Sequence, residues 1–241
     1  MDRFSVAGKR VVVTGASQGI GAMIAAGFAS AGASVVVTGR DEAAVAARAK
    51  ELSCDAVVGD LATEHGCREI ADAVGDVDVL VNNAGAATFA PLDEFDEAAW
   101  EAVLAVNLKG VSHLTRFLLP GLRRRALADQ PARVINIGSI AGLRVGDLDN
   151  YAYGASKAAL HHFTQHLARR LAPSITVNAI APGPFRSRLT GDVIERVAPA
   201  VPMQRIGDDA DVAGAAIYLA SPAASWITGT ILTVDGGLSL T

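Results

Sequence analysis

Short runs of β-branched residues alternate with Ala-rich stretches of helical length along the whole chain, and this alternation constrains the fold more than any other feature. The runs are Arg10–Thr14, Ser34–Thr38, Asp55–Val58, Asp78–Val81, Arg133–Gly138, Thr176–Ile180 and Ile231–Val234. Most are continuously apolar, as strands covered on both faces are. The helical stretches include Ile20–Ala31, Ala43–Leu52, Ala98–Arg125 and Tyr153–Leu171. Together they specify an α/β fold with a doubly wound, seven-stranded parallel sheet in three α/β/α layers. With 51% apolar residues the chain can build a large core without staples. VVVTG occurs at Val11–Gly15 and again at Val35–Gly39, but the period does not continue. It marks two successive strand–helix turns of one sheet, not a repeat array. No Pro- or Ser-rich linker divides residues 1–241, which read as a single domain.

Several function classes recede at this point. Cys54 and Cys67 are too few for a disulfide framework and read as packing thiols. The histidines (His65, His113, His161, His162 and His166) lack cysteine partners at ligand spacing. His162 and His166 stand four apart on a helix without an HExxH pattern, so packing or an interface is the plainer reading, and no metal is expected. A net charge of −4 argues against nucleic acid as a partner. The run Arg123-Arg124-Arg125 suits the C-terminal end of a helix and reads as solvated. MDRFSVAGKR carries no apolar signal segment, and no 18-residue apolar stretch follows. A soluble cytoplasmic protein that does not use a membrane is expected.

The first strand runs into Thr14-Gly15-Ala16-Ser17-Gln18-Gly19-Ile20-Gly21 and then a helix. Glycines there let the backbone approach a pyrophosphate, whose charge a helix N-terminus favours. The spacing, G-x-x-x-G-x-G, differs from the commoner G-x-G-x-x-G. At the end of the second strand, where an acidic residue would hold a ribose 2′-hydroxyl, stand Gly39 and Arg40. A guanidinium suits a 2′-phosphate, so NADP(H) is favoured over NAD(H). Against this, Gln18 puts no second cation in the loop, and Arg40 could pair with Asp41 or simply be solvated.

Tyr153 and Lys157 share one helix face. A phenol titrates near 10, and a neighbouring ammonium with an oxidised nicotinamide close by is expected to lower it into a useful range. The strand Val134–Ile137 ends in Gly138-Ser139, at the sheet edge where ligands bind, so Ser139 either orients a substrate oxygen or caps the next turn. Asn82-Asn83-Ala84-Gly85 ends another strand at the same rim. Asn107 lies in an apolar helical stretch and needs either a packing hydrogen bond or a water-relay role.

TGASQGIG, NNAG at 82–85, VNLKG at 106–110, INIGS at 135–139, YGASK, VNAIAPG at 177–183 and VDGG at 234–237 resemble the short-chain dehydrogenase/reductase family. They occur in that family's order across almost the whole chain, and INIGS and YGASK look like its 3-oxoacyl-reductase branch. The resemblance implies a Rossmann-type sheet and an enzyme interconverting a ketone and a secondary alcohol by hydride transfer with NAD(P)(H). It implies a tetrad of Asn107, Ser139, Tyr153 and Lys157. Tyr153 is the general acid or base, Lys157 its electrostatic partner and ribose ligand, Ser139 the substrate-orienting group, and Asn107 the holder of a relay water. By the same route Gly15, Ser17, Gln18, Gly19, Ile20 and Gly21 line the cofactor with Arg40. Asp60 and Leu61 contact adenine, Asn83, Ala84 and Gly85 the ribose side, and Pro182, Gly183 and Phe185 border the nicotinamide.

The chain departs from the family in places. Pro184-Phe185-Arg186-Ser187 follows the PG turn, Ser187 keeping a hydroxyl for the cofactor. The stretch between Ser139 and Tyr153 carries Arg144, Asp147 and Asp149. A short substrate lid is expected around 186–206, where Arg186, Arg188, Arg196 and Arg205 are either solvated or attract an anionic substrate such as an acyl thioester. Tyr151 competes with Tyr153, but four residues on it meets Ala155. The resemblance also implies a homotetramer, through Ala98–Arg125, Tyr153–Leu171 and the C-terminal strand. Alternatives are an NAD-dependent alcohol, polyol or steroid dehydrogenase, and a non-catalytic NADP-sensing regulator.

Overall fold

The computed structural model describes residues 3–94, 96–127, 129–146, 148–186, 194 and 197–241. Its seven strands are β1 (Arg10–Thr14), β2 (Ser34–Gly39), β3 (Asp55–Val58), β4 (Val79–Asn82), β5 (Ala132–Ile137), β6 (Ile175–Pro182) and β7 (Ile231–Val234). They form one parallel sheet in the order β3-β2-β1-β4-β5-β6-β7, as the alternation specifies. The chain winds outward from β1 to β3, returns to β4 beside β1, and winds the other way. The crevice at the carboxyl ends of β1 and β4 is therefore the switch point, where such sheets bind ligands.

The helices are α1 (Gly19–Ser30), α2 (Glu42–Leu52), α3 (Glu64–Val74), α4 (Glu97–Leu104), α5 (Val111–Arg125), α6 (Tyr151–Leu171) and α7 (Asp209–Ala220). Strand side chains alternate between faces, which explains why the central runs are apolar at every position. Val11, Val13, Val35, Val37, Val79 and Val81 pack against Ile24 and Phe28 of α1, Val45 of α2, and Val212 and Leu219 of α7. Val12, Val36, Leu80 and Val134 turn to the other layer, meeting Ile70 of α3 and Leu114, Leu118 and Leu122 of α5. The edge strands differ. β3 is largely exposed and β7 half-exposed.

The long helix expected over Ala98–Arg125 is interrupted. α4 and α5 are joined by a π-helical turn, Ala105–Gly110, with Asn107 inside it. Wider π turns are frequent at functional sites. The helix expected from Tyr153 begins two residues earlier, at Tyr151. The basic run is not simply solvated either. Arg124 holds Asp76 at 2.6 Å and Arg125 holds Asp78 at 2.7 Å, tying the end of α5 to the loop before β4. Both cysteines are free, and burial pushes the Cys67 thiol up to about 11.

Candidate active site

The site begins with the glycine loop between β1 and α1. Gly15 adopts φ +62°, and a Cβ there would lie 2.8 Å from Ala84 Cα. A Cβ on Gly21 would lie 2.5 Å from the Gly15 carbonyl oxygen and collide with the Asn83 amide. Only glycine permits both approaches. The loop is tied to the β4 end through buried Thr14. Its hydroxyl accepts the backbone N–H groups of Asn83 at 2.9 Å and Ala84 at 3.0 Å. Asn83 returns the bond, its Nδ2 donating to the Thr14 carbonyl at 2.8 Å. The N-terminus of α1 carries no side-chain cap from Gln18 and no acid in its first turn, so its amides are available to a phosphate. Gly19 opens this helix at φ +56°, and half-buried Ile20 packs against the core. A dinucleotide pyrophosphate fits this cradle.

At the end of β2, Asp41 caps α2 by accepting from Ala44 N at 3.0 Å. Arg40 is exposed, with no ion pair among the described residues, so the alternative in which Asp41 neutralises it is not realised. Buried Thr38 has a hydroxyl without a hydrogen-bond partner. Asp60 spends its carboxylate on its own turn, accepting Ala62 N at 2.9 Å. Leu61 packs into the core beside Cys67.

The proposed proton-transfer groups gather at the ends of β4 and β5. Lys157 is buried and donates to the Ile137 carbonyl at 2.8 Å, its Nζ 5.6 Å from the centre of the Tyr153 ring. Burial lowers its pKa to about 8. Desolvation raises the Tyr153 phenol above its ordinary value, while a hydrogen bond with Ser139 pulls the other way. Among the protein's own groups the lowering pull on the phenol comes from Ser139 and not from the Lys157 ammonium, and desolvation exceeds it. Ser139 caps its turn, accepting from Ala141 N at 3.1 Å, one of the two roles expected of it, and its hydroxyl also meets the Tyr153 phenol. Tyr151, the competitor, is exposed and donates to Asp149 at 2.9 Å.

Asn107 is fully buried and its side chain is fully used. Oδ1 accepts from Ala86 N at 2.8 Å, while Nδ2 donates to Ala86 O and to Ser156 Oγ, both at 2.9 Å. The packing alternative for this residue is realised. A Cβ on Gly85 would lie 3.4 Å from Asn107 Oδ1 and 3.7 Å from Lys157 Nζ, so this glycine borders both.

Other expected residues fall differently. Pro182 ends β6, and Gly183 donates to the Val234 carbonyl at 2.9 Å. The Phe185 ring enters the core and is not offered to the cleft. Ser187, Arg188, Arg196 and Asp147 lie outside the described residues. Arg205 pairs with Asp211 at 2.5 Å and holds its carboxyl at about 2, so this arginine is already neutralised. Arg144 donates to the carbonyls of Leu238 and Thr241, clamping the β5–α6 loop to the C-terminal turn. His162 and His166 meet edge to face at 4.8 Å, and no group of three potential metal ligands occurs among the described residues.

Sequence reasoning missed the supporting residues. Asn82 donates to Asn136 at 2.9 Å, and Asn136 donates to Thr164 at 2.9 Å, a buried polar ladder behind the catalytic rim. His161 is buried against Gly138 and Gly142 with neither ring nitrogen hydrogen-bonded. The Asn of INIGS, Asn136, and the first Asn of NNAG, Asn82, are the available signal for the ladder. Nothing in the sequence flagged His161.

A family model described as enoyl-(acyl carrier protein) reductase matches residues 15–239. The rhamnolipids biosynthesis 3-oxoacyl-[acyl-carrier-protein] reductase of Pseudomonas aeruginosa is 44% identical, over 98% of each chain. Among solved structures, the Pseudomonas aeruginosa RhlG/NADP active-site complex superposes with a TM-score of 0.95 at 43% identity, covering 99% of both chains. A gluconate 5-dehydrogenase from Burkholderia cenocepacia in complex with NADP and tartrate gives 0.92 at 33% identity, covering 100% of this chain and 98% of that one.

Proposed function

The chain belongs to the short-chain dehydrogenase/reductase family, and from that membership we propose that it is an NADPH-dependent ketone reductase acting on 3-oxoacyl thioesters. It is an oxidoreductase that interconverts a ketone and a secondary alcohol. The observation that carries the reading is the Tyr153 phenol, bonded to Ser139 one helical turn from buried Lys157, which places a proton donor beside a cation at the sheet's carboxyl rim. The likeness to a 3-oxoacyl-[acyl-carrier-protein] reductase supports the reducing direction.

When bound, the cofactor supplies the hydride to the carbonyl carbon. Tyr153 gives its proton to the carbonyl oxygen as negative charge develops there, and Ser139 donates a second hydrogen bond that orients the same oxygen. Lys157, charged below about pH 8, stabilises the phenolate left behind and holds the cofactor ribose. Asn107 acts through packing, fixing the Ala86 backbone against α6. The uncapped start of α1, with Gly15, Ser17, Gln18, Gly19 and Gly21, receives the pyrophosphate, while Arg40 faces the 2′-phosphate. Asp60 and Leu61 border the adenine, Asn83 to Gly85 the ribose, and Pro182 and Gly183 the nicotinamide.

An acyl substrate is favoured over a sugar acid by the rim. Phe89 and Leu92 after β4, with Leu143, Val145 and Leu148 after β5, are exposed large apolar residues, and Ala90 N donates to Asp149 O between the two loops. Self-association into a homotetramer belongs to the same proposal. Its support is half-exposed β7, fully exposed Trp226 and an open apolar groove between α5 and α6 lined by Leu108, His113, His162 and Phe163. Cytoplasmic residence fits the two free thiols. No described helix is long and apolar enough to cross a membrane.

Cofactor oxidation across a panel of 3-oxoacyl thioesters, sugar acids and simple ketones, with NADPH and NADH side by side, tests this reading. Turnover should be fastest with NADPH and an acyl thioester. Preference for a polyhydroxy ketone would reassign the substrate.

A further inference from the structure

Arg48, on the second turn of α2, runs its guanidinium back to the glycine loop, with Nη2 3.5 Å from the Ser17 carbonyl oxygen. The direction follows from helix geometry. Side chains lean toward a helix's N-terminus, so a long side chain at position 48 covers the turn that holds Val45. Val45 is the residue packed against Gly39 at the end of β2. The guanidinium therefore lies beside the place where the glycine loop and the end of β2 converge. Ala16 N donates to Thr38 O at 3.2 Å in that same junction.

Its bonding is incomplete. Nη1 pairs with Glu51 at 2.9 Å, Nη2 makes the long contact to Ser17, and buried Nε has no hydrogen-bond partner. Glu51 is 63% exposed, so this pair contributes little and is easily exchanged for a stronger anion. In sheets of this type the adenosine ribose lies between the pyrophosphate loop and the end of the second strand. A phosphate on its 2′ oxygen would enter this junction. One cation, Arg40, is already there, and the loop position where a second cation would stand is Gln18. The second cation comes instead from α2.

We infer that Arg48 is a cofactor-specificity residue, binding the 2′-phosphate of NADP(H) together with Arg40. The inference rests on the NADP(H) reading above and adds to it a residue from an element outside both motifs. A guanidinium can give two parallel N–H···O bonds to a phosphate, and Nη1, held only by the exposed Glu51 carboxylate, is the donor that can turn to one.

The test is equilibrium binding of NADPH, NADH and 2′,5′-ADP to the intact protein, followed by cofactor fluorescence and calorimetry, for wild type, Arg48→Gln and Arg40→Gln. Losing a charge-assisted contact should weaken NADPH and 2′,5′-ADP about 10-fold or more in Arg48→Gln. NADH should change less than about twofold. A residue that only tethers the loop would weaken NADPH and NADH equally, and that result overturns the inference. If Arg40→Gln loses discrimination while Arg48→Gln keeps it, the inference fails and NADP(H) preference stands. If the wild type itself does not prefer NADPH, the cofactor reading fails first.

Discussion

The side-chain amide of Asn107 donates to the Ser156 hydroxyl at 2.9 Å, joining the π turn between α4 and α5 to the helix that carries Tyr153 and Lys157. Ser156 in turn donates to the Tyr153 carbonyl at 2.7 Å. Position 107 therefore holds the helix bearing the acid as well as the Ala86 backbone. Asn107→Ala leaves the N–H and C=O of Ala86 without partners, which should cost about 1–3 kcal/mol for each buried group left unsatisfied. A lowered denaturant midpoint together with reduced turnover is expected. An unchanged midpoint would show that Asn107 does not hold the site together.

Tyr153→Phe removes the proton donor and little else. Turnover should fall about 10²–10⁴-fold while NADPH affinity stays within about twofold. Tyr151→Phe, which breaks only an exposed bond to Asp149, should keep most activity. Comparable losses in both variants would dismiss the assignment of the acid.

The pH dependence of reduction follows from Lys157. Its ammonium is present below about pH 8 and lost above it. Because kcat/KM reports groups of the free enzyme, it should hold steady near neutrality and decline as pH rises through about 8. The Tyr153 phenol, raised above its ordinary value near 10, stays protonated through that window. A profile flat to pH 10 would contradict the role given to Lys157.

His161 makes a separate prediction about stability. Burial first, then the Lys157 charge, hold its pKa below the usual 6.5, against an opposing pull from the Gly142 backbone. An unfolded chain titrates near 6.5 and so binds the proton more readily than the native protein. The contribution is complete above about pH 6.5 and erodes as pH falls below it. Urea unfolding between pH 7.5 and 5 should show a shallower loss in His161→Leu than in wild type. Parallel curves would assign the acid sensitivity elsewhere.

Gly21→Ala tests the loop. A methyl there meets the Gly15 carbonyl and the Asn83 amide, so the turn must shift. NADPH and NADH should both weaken by more than about 10-fold, a corresponding loss of about 1.4 kcal/mol. Retained binding of either would mean the backbone does not approach the pyrophosphate there.

The sheet was legible because its central strands are buried on both faces, a condition written directly into runs such as Val11-Val12-Val13. Tyr153, Lys157 and Ser139 were legible because their roles depend on strand ends and helix spacing. The π turn was not: Val103 to Leu108 has ordinary helical composition, and the Asn107 bonds that accompany the turn are tertiary. The upward push on Tyr153 was not legible, because the depth of desolvation depends on packing, which spacing alone does not report. Arg48 went unnoticed because its reach to Ser17 crosses from α2 to the glycine loop, 31 positions away. Phe185 sits beside the cofactor motif in sequence, but its ring is drawn into the core against Gly207.

Transfer of label tests the central claim most directly. NADPH deuterated at the transferring carbon, incubated with a 3-oxoacyl thioester, should place deuterium on the new carbinol carbon with wild type and at background level with Tyr153→Phe. Product labelled equally by both proteins, or cofactor consumed with no deuterium at that carbon, would contradict hydride transfer assisted by Tyr153.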